Sequence, residues 1–287
     1  MAGFSSQAGA LDAPACIKLI REAVANEVAA SNNSSIKHMF RSRKQTPQGS
    51  QTRLYVETRD AMVGLTIAYN DTPLNAAQAR GEKARLNSLA ANPEQLRRKH
   101  SQEQETADRT LRIVKALPDA FLYEYDGEQE GTATLGKVGD QLVSLRFRPN
   151  PAYHPPSHVE EVLEGMSGVL LIDRKAMRIA KIDGTLSKEV SFGWGILGHL
   201  NKGGHFLVEQ CDVGDDSWEI SHMALSFSGK ILLLKSIAIK SDEVFSDFRR
   251  VPSDTTFAKG IQLAEEEQAK VAKNNAAVVK RVRGSHS

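Results

Sequence analysis

Long apolar runs are missing from this chain. None approaches the roughly 20 residues a helix needs to cross a bilayer, which excludes a helical membrane span. Cysteine is scarce: Cys16 and Cys211 are the only two. At most one disulfide can form, and two cysteines so far apart carry no framework signature, so two unpaired thiols is the plainer reading. An excess of one charge is missing too, since 37 basic residues against 35 acidic ones leave +2. The basic clusters at 37–44, 97–100, 249–250 and 280–283 fall on different elements and are diluted by acids. They read as solvated faces, and no nucleic-acid partner is expected. The N-terminus lacks a basic stretch followed by an apolar core, so no signal peptide is present as written. On that ground the protein is either cytoplasmic or has had a leader removed.

Catalytic signatures are also missing. There is no Gly-x-Ser-x-Gly elbow, no Walker-type loop and no Cys-x-x-Cys. Gly193-Trp194-Gly195-Ile196-Leu197-Gly198 spells the dinucleotide fingerprint, but Asn201-Lys202-Gly203-Gly204 and another strand-like run follow it instead of a helix. A pyrophosphate needs that helix N-terminus, so a bulged β corner is the better account. His154 and His158 are separated by two prolines and cannot share a helical face as zinc ligands. His199, His205 and His222 lie on or near strands, where an ordinary hydrogen-bonded histidine is the default. No enzyme activity, cofactor or metal is expected.

What the chain has in quantity is short apolar runs broken by turn residues. Between Ser167 and Lys240 lie the runs 168–173, 177–182, 190–192, 205–209, 218–227 and 231–239, with turns expected at Asp183-Gly184 and Ser228-Gly229-Lys230. Such spacing predicts an antiparallel meander. Ahead of it, Asp12 with Pro14 opens an amphipathic helix carrying Ile17, Ile20, Val24 and Val28. Three strands over 36–45, 52–59 and 62–69 follow. At Thr72-Pro73 the period changes. Two helices, 76–90 behind a Thr72 cap and a second from Asn92 ending at Pro118-Asp119, predict a charged hairpin standing off the main body. Strands at 121–125 and 142–148 resume the β pattern, and Ser157 with Glu160 marks a capping box. A helix over 256–272 precedes a tail at 280–287.

The expected class is α+β: one strongly curved antiparallel sheet of roughly nine to eleven strands, an incomplete barrel, with helices against its concave side. The expected organisation is a flexible stretch over 1–11, a single domain over 12–255 with the hairpin inserted at 73–117, and a C-terminal helix and tail over 256–287. Phe121, Tyr123, Phe147, Phe192, Trp194, Phe206, Trp218 and Phe227 fall in predicted strands or corners. If they share one face, helices over it make either a solid core, as packed interiors usually are, or a lined cavity. Trp194, between two glycines, is expected to turn inward with Phe192 and Phe206.

This order of elements resembles the periplasmic lipoprotein-carrier and sensor superfamily of the LolA, LolB and RseB type. More closely, Pro118-Asp119-Ala120-Phe121, Arg148-Pro149-Asn150-Pro151, Ile182-Asp183-Gly184 and the 192–198 segment resemble a group of uncharacterised exported bacterial proteins, often acidobacterial, placed near it. The resemblance implies a LolA-like fold and a non-enzymatic periplasmic or envelope protein that holds a lipid or acyl chain, possibly that of a lipoprotein, on an apolar concave face. The eight aromatics are then the candidate ligand-binding residues. The alternatives are an interaction or sensor module with a solid core and a protein partner at the hairpin, or a hydrolase with a non-contiguous site.

Overall fold

The computed structural model describes residues 11–33, 35–192, 198–215, 217–231 and 235–284. In chain order the elements are α1 (Ala13–Asn32), β1 (Lys37–Thr46), β2 (Gly49–Val56), β3 (Val63–Tyr69), β4 (Thr72–Pro73), α2 (Ala76–Ala90) and α3 (Pro93–Ala120). They continue with β5 (Phe121–Glu130), β6 (Gln141–Pro149), a 3-10 turn (Glu160–Gly165), β7 (Met166–Asp173), β8 (Arg178–Leu186) and β9 (Val190–Phe192). Last come β10 (Gly198–Leu200), β11 (His205–Gly214), β12 (Ser217–Ile231), β13 (Lys235–Val251) and α4 (Phe257–Gly284).

Two compact units divide the chain, Met1–Asn32 with Arg109–Asp242, and Asn33–Asp108 with Glu243–Ser287. In the first, the strand order is β13-β12-β11-β8-β7-β6-β5, with the short β9 and β10 attached through β12. In the second it is β4-β3-β2-β1-β13. Neither order returns to its start. The expected α+β class, a large antiparallel sheet not closed into a barrel, is what is found, with 13 strands among the described residues rather than nine to eleven.

In the second unit the alternation along β2 decides the buried side. Ser50, Thr52, Leu54 and Val56 are buried while Gln51, Arg53 and Tyr55 are half-exposed. Leu54, Val56, Val63 and Leu65 pack with Leu86 of α2 and Phe257 and Ile261 of α4. The hairpin therefore does not stand off, because Leu86, only 1% exposed, anchors α2 in this core. Nor does α2 start behind Thr72. Gln78 N–H donates to Asn75 Oδ1 and Asn75 N–H to Gln78 Oε1, both at 2.9 Å. That capping box fixes the first turn and leaves Thr72–Pro73 to form β4.

Two predicted turns lie inside strands. Gly184 is within β8, opposite Gly168 of β7, and a Cβ there would sit 2.8 Å from Met166 Sδ. Gly229 is within β12, opposite Leu200 of β10, where a Cβ would meet the His199 carbonyl oxygen at 2.0 Å. Both glycines serve close approach rather than reversal of the chain. Pro118 lies in the last turn of α3 instead of ending it. Ser157 Oγ bonds the Glu160 carboxylate and is followed by a 3-10 turn, not a capped α-helix. The backbone of α4 runs to Gly284, through residues expected to form a tail.

Candidate ligand-binding face

Alternation along β5 and β6 turns Phe121, Tyr123, Val143, Leu145 and Phe147 to one side of the first unit's sheet, where all are buried. Tyr123 pairs across the strands with Phe147. The Phe121 and Phe147 rings lie 4.6 Å apart, tilted at 50°, and Tyr123 stands edge-on to Phe121 at 6.2 Å, the latter a preferred aromatic geometry. Tyr123 Oη donates to the Leu117 carbonyl at 2.7 Å. Burial, and then the charge of Asp119, pushes this phenol far above its ordinary range, so it serves as a neutral donor.

Further along the same face burial fades. Phe147 is in register with Gly168, Gly168 with Gly184, and Gly184 with Phe206. Phe192, Leu200, Phe206 and Phe227 pack against the main cluster but remain half-exposed. Gly204 makes room for Phe227, whose Cδ1 would lie 2.5 Å from a Cβ at that position.

Helix α1 covers the buried part. Asp12 Oδ1 accepts the Ala15 N–H at 2.9 Å and sets the first turn. Cys16, Leu19, Ile20, Ala23 and Val24 then enter the cluster, with Ile17 and Val28 at its margin. At its far end Glu27 holds Arg178 in a bidentate pair at 2.8 and 2.9 Å and accepts the Ile179 N–H at 2.9 Å. Both side chains of that pair are only 12% exposed. Midway along, the helix has a looser fastening, the exposed Arg21–Asp119 pair at 3.2 Å. There an open groove of about 360 Å³, lined by Ile17, Arg21, Phe121 and Tyr153 among others, reaches the aromatic cluster.

Trp218 is not brought together with these residues. It packs against a separate small cluster of Leu142, Leu171 and Ala180, with the Arg178 guanidinium 5.6 Å over its ring. Leu171 alternates with Leu170 and Ile172 of the main cluster, so this second cluster starts on the other side of the sheet. Trp194 lies outside the described residues. The strand β10, which begins at Gly198 and pairs with β9, stands where the dinucleotide fingerprint would need a helix. Sequence reasoning missed Leu163, Met166, Leu186 and Val190, all buried in the main cluster. Met166 had a signal in Gly184 of the neighbouring strand, over which its side chain lies, because a mid-strand glycine often marks a side chain lying over the backbone.

Chemically the face is apolar. Burial, followed by the charge of Asp12, pushes the Cys16 thiol up and keeps it neutral; neither cysteine is in a disulfide. The polar groups of this unit's strands form a chain elsewhere. His205 Nε2 lies 2.9 Å from Asp183, Lys181 lies 3.3 Å from Asp183 and 3.5 Å from Glu209, and His222 lies 3.3 Å from Glu209 and 3.2 Å from Asp242. Both histidine rings face carboxylates, an arrangement that ties β8, β11, β12 and β13 side by side.

No family model and no curated protein matches this chain. Among solved structures it is similar to a crystal structure described as an outer membrane lipoprotein-sorting protein domain from Vibrio parahaemolyticus. The two share 13% identity over 80% of this chain and 91% of that one, with a TM-score of 0.27.

Proposed function

We propose that this protein is a non-enzymatic envelope protein that takes a lipid or acyl chain on the half-exposed end of its apolar face. The observation behind this reading is the change in burial along one continuous surface, from Phe121, Tyr123 and Phe147 inside to Phe192, Leu200, Phe206 and Phe227 at the margin. A finished core would bury those margin rings, and an ordinary surface would not gather them; a contiguous apolar patch of this kind marks a binding surface. A hydrocarbon chain needs no polar partner, which suits a face whose described margin residues are Phe192, Leu200, Phe206 and Phe227. A periplasmic location belongs to the same reading. No helix among the described residues is long and apolar enough to cross a membrane.

Titration of delipidated protein with a fluorescent fatty acid is expected to saturate. The Phe206→Ala, Phe227→Ala double variant is expected to bind roughly tenfold more weakly through lost apolar contact. Non-saturating fluorescence with folded protein would remove the reading. A second reading is favoured by α1, whose Ile20 and Ala23 are fully buried against the face. With the covered part solid, the exposed margin would serve a sensor or interaction module docking a protein rather than a lipid.

A further inference from the structure

In the second unit β3 ends the strand order except for β4, which pairs only with Ala68 and Tyr69. Beyond β4 the Ile67 carbonyl accepts the Leu74 N–H at 3.1 Å, and the backbone groups from Val63 to Thr66 on that edge would be free to pair with another chain. Side chains from the helical hairpin take some of them instead. The Thr66 N–H donates to Glu82 Oε1 at 2.8 Å, and Arg85 Nη2 donates to the Gly64 carbonyl at 2.9 Å. The Met62 N–H, just before the strand, donates to Glu103 Oε2 of α3 at 3.0 Å. Glu82 and Arg85 hold each other through two further bonds of 2.8 Å. A carboxylate accepts and a guanidinium donates, so the pair offers β3 the alternating acceptor and donor that a neighbouring strand would offer.

We propose that the β3 edge is a latent strand-pairing surface kept closed by α2 and α3, and that once uncovered it takes the same edge of a second copy of this chain. The occupant follows from the strand itself. Val63-Gly64-Leu65-Thr66-Ile67-Ala68-Tyr69 has no charge and no proline, so two copies paired antiparallel set no like charges against each other. The edge strand of the first unit differs. β5 carries Glu124, Asp126, Glu128 and Glu130, which would face one another in a self-pair, so its own sequence guards it. An uncharged edge has to be closed from outside, and this is the work of Glu82, Arg85 and Glu103.

The test is a Glu82→Ala, Arg85→Ala double variant of the full chain, which leaves Leu86 and the Asn75–Gln78 capping box in place. Sedimentation over a range of concentrations is expected to show self-association tightened roughly tenfold or more relative to wild type, since several backbone hydrogen bonds become available. The Thr66 amide should exchange faster than in wild type at low protein concentration and slow again as copies pair. A folded double variant that sediments as wild type does at every concentration overturns the proposal. Should the double variant lose its helical circular dichroism, Arg85→Ala alone uncovers the Gly64 carbonyl while Glu82 stays on Thr66. It is expected to shift association in the same direction but less, and a folded single variant with no shift overturns the proposal equally.

Discussion

Phe147 and Phe206 stand in one register, separated by the Gly168–Gly184 pair, yet they differ in what removal should do. Phe147 is 3% exposed and touches two rings. Its change to alanine is expected to cost about 3–5 kcal/mol in urea unfolding, the range for an emptied aromatic site. Phe206→Ala, at the half-exposed margin, is expected to cost less than about 1.5 kcal/mol because less area returns to water. Two carboxylates give opposite pH behaviour. Burial pushes Glu57 up, against the His38 N–H and the charge of Lys37, and leaves it raised above its ordinary value of 4.5. Burial also pushes Glu82 up, but bonds from Arg85 and the Thr66 N–H outweigh it and leave it lowered. A raised carboxyl contributes stability in full below its ordinary value and loses it as pH climbs through the folded one; a lowered carboxyl loses its contribution as pH falls through the folded value. Glu57→Gln is therefore expected to stabilise the protein at about pH 7, and Glu82→Gln to destabilise it. Both effects should shrink as pH falls, that of Glu57 below its ordinary value and that of Glu82 through its lowered folded value, as read by urea midpoints.

At the scale of elements, α1 depends on its far end. Arg178→Ala would leave the Glu27 carboxylate nearly buried with only the Ile179 N–H as partner. Removing one member of such a pair is expected to cost about 2–4 kcal/mol, and exchange of the α1 amides should rise more than that of β6. Much of this scale was legible in the sequence. Asp12 with Pro14 marked the start of α1, and the apolar spacing marked its buried stripe. Asn92 marked the start of α3, where its Oδ1 accepts the Gln95 N–H at 3.0 Å. Glycine was the source of error, since Gly184 and Gly229 looked like turns in one dimension but answer to Met166 and His199 across strands. Thr72 and Asn75 are both capping types, and asparagine's stronger preference together with Gln78 three residues on marks Asn75 as the cap.

For the whole molecule, alternation and turn spacing were enough for an open antiparallel sheet with helices, while the strand order was not readable because it is set by pairings between distant segments. The candidate face was partly readable. Six of the eight aromatics meet in one cluster, but β-bulges between Glu209 and Gln210 and between Asp212 and Gly214 break the alternation, so parity counted from Phe206 could not place Trp218. The exposure gradient along the face, on which the proposed function rests, is a tertiary property that no local pattern encodes. Photo-crosslinking with a diazirine-bearing fatty acid, followed by peptide mapping, tests it most directly. Label is predicted to concentrate on β9 to β12, around Phe192, Leu200, Phe206 and Phe227, and to be competed by unlabelled fatty acid. Label confined to other parts of the chain, or not competed at all, would contradict the account.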